Sequence, residues 1–420
     1  MNKLIYSNTM LANIMVVSIV PFLITGPLLP DLIVSFSALF FLYTVLKNKE
    51  FYFFNNKPFI IFSIFCIYCI LLSLILAQDK IISFKSSLFY VRIGVFSCFI
   101  WYLINKDKRI LTYFYYLLIL SFSVLVIDGY IQYFTGANLS GHKISGIRVS
   151  SFFGDELIMG SYLSRLFPLL FALFLVKKKQ NFEVYFIGFL FILIDILIFM
   201  SGERTSFFFL NISTIFIIIL IKEYQKFRLV TFIIAIICIT ILSFNSSNYS
   251  ERMFKTPAKN MGIIESSKKP IIFTQAHDNL FRSAFNMFKD QPITGHGPKM
   301  FRILNKDKKY VTGNIPYMTH PHNFYLQLLA ETGIIGFLFL FSILSYVLFR
   351  ALMQLKSIIL KKKRPLSDYQ VCLLAGILIT VWPLSTNGNF FNNWLMIVYS
   401  LPAGFYLQSI YSKRKLKNNL

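Results

Sequence analysis

Apolar residues run along this chain in stretches of about twenty, separated by short polar stops. That is the length an α-helix needs to cross the hydrocarbon core of a bilayer. Twelve such runs are read, near residues 10–28, 31–46, 58–77, 87–104, 110–133, 157–176, 182–200, 206–221, 228–244, 322–349, 369–385 and 390–410. The runs at 206–221 and 369–385 are short for a span. The pattern divides the chain into nine predicted spans with short loops (1–244), one long polar loop (245–321), and three spans with a basic tail (322–420). Within the long loop, residues 276–290 have helical periodicity, with Leu280, Phe281, Ala284, Phe285 and Phe288 on one face, so a short amphipathic helix is predicted there. The expected fold class is an all-α polytopic membrane protein of about 12 transmembrane helices.

Composition strengthens this reading. Of 420 residues, 56% are hydrophobic, 48 are Phe, and only 14% are charged. A soluble chain of this size could not bury that much apolar surface in one core. The five cysteines, Cys66, Cys69, Cys98, Cys238 and Cys372, all fall in apolar runs and are expected as packed thiols.

The net charge of +24 raises nucleic acid as a partner. That reading fails, because Lys and Arg sit in short clusters between apolar runs, which is how loop charge orients a membrane protein. On one side fall Lys3, Lys47, Lys49, Lys57, Lys106, Lys108, Arg109, Lys177–Lys179, Lys222, Lys226, Arg228, Arg350, Lys356, Lys361–Arg364 and Lys413–Lys417. The short opposite loops carry only Lys80, Lys85, Lys143, Arg148 and Arg204. Both termini are therefore expected in the cytoplasm and the loop 245–321 outside, with membrane lipids as partners and no nucleic acid.

Ionisable residues inside spans are costly and mark function by default. Arg92, Asp128, Arg165, Asp195 and Glu331 all fall in the predicted outer halves, which suggests a polar cavity open to the outer side. Arg204 lies in the turn Ser201-Gly202-Glu203-Arg204-Thr205-Ser206, at a predicted helix N-terminus that already favours an anion. The stretch His320-Pro321-His322-Asn323-Phe324-Tyr325-Leu326-Gln327 opens the tenth predicted span. Pro321 suits a first helical position, which would put His322 on the first turn, where the helix dipole lowers its pKa. A neutral imidazole there can serve as a general base. No cluster of outer carboxylates with His suggests a metal, and no cofactor is expected.

Here the sequence resembles a family. His322-Asn323 with Tyr325, Leu326, Gln327, Glu331, Gly333 and Gly336 resembles the signature of the O-antigen ligase and O-antigen polymerase superfamily. The turn Ser201–Thr205 is similar to its Ser-Gly-Ser-Arg-Thr turn, with Glu203 replacing the usual Ser. Arg282 followed by Asp290-Gln291-Pro292-Ile293-Thr294-Gly295-His296-Gly297 resembles the Arg and Asn-Pro-x-x-Gly-x-Gly pattern of its large periplasmic loop. Arg148 with Ser151-Phe152-Phe153-Gly154 resembles a weaker segment before the sixth span.

The resemblance implies a bacterial inner-membrane glycosyltransferase whose active site faces the periplasm. Its donor would be a glycan on undecaprenyl diphosphate and its acceptor a sugar hydroxyl, on lipid A–core for a ligase or on another lipid-linked glycan for a polymerase. The reaction would be metal-independent. His322 is expected as base, Arg148, Arg165, Arg204 and Arg282 as grips for the diphosphate, and Asn323, Glu331 and Asp195 as supporting residues. Polymerases of this group often carry two sizeable outer loops with an Arg-x10-Gly pattern. This chain has one long loop, and none of Arg148, Arg252 or Arg282 has Gly eleven residues on, so ligase is preferred. A lipid-glycan transporter, the reading from another class, predicts polar residues through both halves of the bilayer, and the inner half lacks them.

Overall fold

A computed structural model describes residues 2–177, 180–261, 263–264, 272–313 and 317–417. Lys178 and Lys179 of the charge pattern lie outside the described residues, as do the side chains of Lys3 and Lys413–Lys417. The described residues form helices and loops, with no strand beyond two isolated β-bridges in the 137–148 loop.

Every predicted run contains helix, although the runs near 369–385 and 390–410 extend into an irregular stretch between Thr380 and Asn393. Eight helices are long and apolar enough to cross a membrane: Leu28–Asn48, Lys57–Ile75, Lys80–Lys106, Arg109–Thr135, Met159–Val176, Asn181–Met200, Gln225–Asn245 and Phe324–Ile359. The segments Met10–Phe22, Arg204–Leu220 and Asp368–Thr380 are apolar but shorter. A last helix, Asn393–Lys417, closes the chain. This is a multi-pass membrane protein of eight clear candidate spans, and the count of twelve remains an expectation.

Local signals set the helix ends. Asn56 accepts from Phe59 N–H, with Pro58 in the first turn, and Asp79 accepts from Ile82 N–H. Ser367 and Gln370 form a reciprocal capping box. Each satisfies amide groups that a helix terminus leaves open. Met159–Val176 is the most enclosed span, and it packs against Arg109–Thr135, Arg204–Leu220, Asp368–Thr380 and Asn393–Lys417. Phe167, Phe171, Phe174, Phe191 and Phe227 interlock there with edge-to-face and stacked rings. Such pairs are worth about 0.5–1.5 kcal/mol beyond the area they bury.

The long polar segment is built around the helix Gln275–Asp290, started by Thr274, whose hydroxyl accepts from His277 N–H. Its buried face is Leu280, Ser283, Ala284 and Met287 rather than the Phe-rich face expected from periodicity. Leu280, Ala284 and Met287 form a small separate core with Phe301, Tyr310 and Ala330. Phe281 and Phe285 instead line a surface groove with Arg282, Lys289 and Leu326.

The helix Phe324–Ile359 is broken at Gly333 (φ 63°, ψ −161°), a conformation open only to glycine. The break frees backbone groups that a span must satisfy internally. Residues 292–297 supply the partners. Ile334 N–H donates to Pro292 C=O (2.9 Å), His296 N–H to Ala330 C=O (3.1 Å) and Gly297 N–H to Glu331 C=O (2.8 Å). Packing is tight enough that a Cβ on Gly295 would lie 2.5 Å from the Glu331 carbonyl carbon. The two glycine motifs of the sequence thus form one joint, a strap seated in the kink.

Four of the five ionisable residues read as lining an outer cavity are instead paired inside the protein. Arg92 bonds Asp31 and Ser35. Asp128 accepts from Ser151 Oγ, Asn138 Nδ2 and Leu139 N–H. Asp195 takes a two-pronged bond from Arg228 (2.8 and 3.1 Å), which also donates to Thr214. Arg228, read as a cytoplasmic loop charge, is 0% exposed and stacks on Phe167. Glu331 accepts from Phe301 N–H (3.0 Å) and Gln327 Nε2 (2.9 Å), pinning the long loop to the span. Short carboxylates and long guanidinium forks meet across helices here because an unpaired buried charge would be far more costly.

Candidate active site

The site lies where the turn 201–205, the helix Gln275–Asp290 and the start of the helix Phe324–Ile359 come together. Asn323, not Pro321, opens the last of these: its side chain accepts from Leu326 N–H at 3.1 Å. His322 therefore precedes the helix and is not on its first turn. Its backbone is left-handed (φ 58°), and Pro321 ahead of it is buried.

The motif around His322 has an architectural use. Asn323 Nδ2 donates to the Pro383 and Ser385 carbonyls, and Tyr325 Oη to that of Val381. Gln327 accepts from Phe390 N–H and donates to Asn389 Oδ1. All three hold the irregular stretch 381–392, which folds back under His322. Sequence reading had split that stretch between two apolar runs.

Three histidines cluster. The rings of His320 and His322 are 4.1 Å apart, and those of His277 and His322 are 5.4 Å apart and nearly perpendicular. Burial holds the His322 imidazole below its ordinary range, against the opposing effect of a hydrogen bond to the Asn387 backbone. His277 is lowered by burial first, then by its closeness to His322 and to the Arg204 charge. His320 is pushed down to about 3 by burial first, then by His322 and Arg302. The lowering comes from desolvation, not from the helix dipole expected of a first-turn position. His277 was missed in the sequence because it lies far from His322 in the chain. Its only local signal was the Thr274 cap.

Arginines gather around the turn 201–205. Arg148 Nε donates to Ser201 C=O (3.0 Å) and its Nη2 to Leu157 C=O (3.0 Å). Arg252 Nε donates to the next carbonyl, Gly202 C=O, at 3.0 Å. Burial and then, in opposition, Glu203 act on Arg148, and Arg252 adds like-charge repulsion. Arg204 opens its helix beside them. Arg252, seated in one π-helical turn (Glu251–Lys255), was not expected in the site. Glu203 accepts from Gly160 N–H (2.7 Å), Ser161 N–H (3.0 Å) and Ser206 Oγ (2.8 Å). It caps the helix Met159–Val176, and burial pushes its carboxyl up to about 7. Three guanidinium groups around one capped turn, with one carboxylate already spent on a helix end, leave a positive patch that favours an anion.

The remaining expected residues lie apart from this patch. Arg165 is 4% exposed, between the rings of Tyr399 (4.0 Å) and Phe209 (4.6 Å), with Nη2 on Asn387 Oδ1. Arg282 is 63% exposed on the groove and bonded to Asp278 at 2.7 Å. Asp195 and Glu331 are occupied as described above. Among the described residues, no three His, Cys, Asp or Glu side chains converge in a way that could hold a metal ion.

A search of curated proteins returns no match. Residues 187–341 match the family model described as O-antigen ligase. That stretch contains the arginine turn, the loop helix with His277, the strap and kink, and His322, so the part of the chain that carries the candidate site is similar to the O-antigen ligase family.

Proposed function

We propose that this protein is an O-antigen ligase-type glycosyltransferase. It moves a glycan from undecaprenyl diphosphate to a sugar hydroxyl of lipid A–core, at the periplasmic face of the bacterial inner membrane. The observation that carries this reading is His277, whose ring packs against His322 and lies within electrostatic reach of Arg204, so that the histidine cluster adjoins the turn gathered by Arg148, Arg204 and Arg252. The match of residues 187–341 to the O-antigen ligase family model supports ligase- or polymerase-type chemistry, and the eight candidate spans support a lipid-embedded donor.

In this reading the donor diphosphate sits against the arginine patch. His322 takes the proton of the acceptor hydroxyl as that oxygen attacks the anomeric carbon. The bond from that carbon to the diphosphate oxygen breaks, and undecaprenyl diphosphate leaves with the bonding electrons. The guanidinium groups stabilise the charge growing on the leaving oxygen. A positioned base contributes about 10²–10⁴ in rate. One displacement without a covalent intermediate inverts the anomeric centre. Asn323 supports the site by fixing the start of the His322 helix, and Glu331 by fixing the loop above it.

The test is transfer by purified protein from a lipid-linked donor in the presence of chelator. His322→Ala should abolish transfer while donor still binds, and His320→Ala should keep much of it. Full activity in His322→Ala removes the base. Deletion of the gene separates the acceptors: lipid-linked polymer with bare core indicates a ligase, and single repeats on the core indicate a polymerase.

A further inference from the structure

The stretch 381–392 is an irregular segment enclosed at the ends of several helices, where loose polar groups are costly. Within it, Asn387 is 5% exposed, and its main-chain N–H and both side-chain polar atoms are used. Its main-chain N–H donates to His322 C=O at 2.7 Å. Its Oδ1 accepts from Arg165 Nη2 at 2.9 Å, and its Nδ2 donates to Ser385 Oγ at 2.9 Å. Thr386, the residue before it, shares a 2.6 Å hydroxyl contact with Thr205, next to Arg204.

His322 carries a left-handed backbone, which a residue with a Cβ keeps only when its surroundings hold it. Among the described residues, the bond from Asn387 is the backbone hydrogen bond that His322 makes. Arg165 in turn is clamped between the Tyr399 and Phe209 rings, so its guanidinium has a fixed position from which to hold Asn387.

We infer that Asn387 is a positioning residue for the transfer reaction, and that Arg165 acts through it on His322 instead of gripping the diphosphate. The path runs from a guanidinium locked in the bundle, through one carboxamide, to the backbone of the base. The same stretch touches Thr205 and so sets the distance between base and arginine patch. The inference rests on His322 being the base, as proposed above.

The test is steady-state kinetics of glycan transfer with the full-length protein in detergent or nanodiscs. Misplacing a catalytic group by about 1 Å costs about 100-fold. Asn387→Ala should therefore lower kcat by about that factor, with the KM for lipid-linked donor unchanged, since donor is held by other residues. Asn387→Asp keeps an oxygen for Arg165 and should restore most of kcat. A rise in donor KM at unchanged kcat would overturn the inference, and so would wild-type kcat in Asn387→Ala or equal damage in both variants. Should Asn387→Ala fail to fold, Arg165→Gln must show the same fall in kcat at constant KM; a rise in KM there makes Arg165 a donor ligand and sinks the idea. His322→Ala is run alongside. If it stays active, the base assignment has failed, and positioning is decided by the rate at which diethyl pyrocarbonate modifies His322, read by mass spectrometry. That rate should differ between wild type and Asn387→Ala, and equal rates overturn the inference.

Discussion

Replacing Gly333 with Ala attacks the joint between the long loop and the helix Phe324–Ile359. The native backbone there (φ 63°, ψ −161°) is closed to residues with a Cβ, and forcing it costs about 1–3 kcal/mol. The new Cβ would also collide with the Ile293 carbonyl oxygen and the Thr294 amide, so the strap must lift. Lifting exposes the bonds of Ile334, His296 and Gly297. At about 0.5–1.5 kcal/mol each, these contribute roughly another 1.5–4.5 kcal/mol. The loss is local, because the helices of the bundle do not depend on the strap. A local loss of about 3 kcal/mol should speed amide exchange in the strap by roughly 100-fold. The assay is hydrogen–deuterium exchange of the protein in detergent, followed on peptides covering 292–297 and, as internal reference, 159–176. Gly333→Ala should open the first and leave the second protected, and transfer activity should fall with it. Wild-type exchange across 292–297 would refute the reasoning, since it would show the strap does not need the glycine at the kink.

Other substitutions test other parts of the molecule. Asp195→Asn leaves Arg228 charged and buried without its carboxylate, and should cost about 3–5 kcal/mol, read as a fall in the thermal midpoint of the detergent-solubilised protein; an unchanged midpoint would remove the pair from the account of stability. Arg204→Lys keeps charge and loses the planar fork, so donor binding should weaken strongly at normal protein levels; full activity would show that bidentate geometry is not needed there. The acid limb of the kcat/KM profile should lie below pH 6.5, because burial lowers the His322 pKa and the imidazole stays neutral as pH falls, until that lowered value is passed. A limb at or above 6.5 contradicts a buried neutral base.

The apolar runs were legible because span length is set by the bilayer, and each run contains helix. The loop helix was legible from its period, but its inward face was not. Phe281 and Phe285 are the more hydrophobic choice, yet Leu280, Ala284 and Met287 fit against Phe301 and Tyr310. The ionisable residues show the same limit. Asp195 reads as a site residue until Arg228 is found beside it, and no local pattern joins positions 33 apart. His277 and Arg252 escaped notice for the same reason, since each reaches the site through the fold of the long loop. The stretch 381–392 was hidden because its polar residues punctuate a region that averages as apolar. Its role depends on partners in Asn323, Tyr325 and Gln327, whose own conspicuous motif had suggested chemistry more than scaffolding.

The position of that stretch, after every other residue of the candidate site in the chain, has a consequence for biosynthesis. A nascent protein leaves the ribosome from its N-terminus, so His322, the arginines and the strap all enter the membrane before residues 381–392 exist. Until the penultimate helix has inserted and the chain has turned back, Asn323, Tyr325 and Gln327 have nothing to hold, and His322 has no floor. Every residue that the family signature names can therefore be in place while the enzyme is still unassembled. A ribosome stalled just past Thr380 would leave a polypeptide with the complete motif and an unassembled candidate site, so that assembly of the site waits for the stretch that follows.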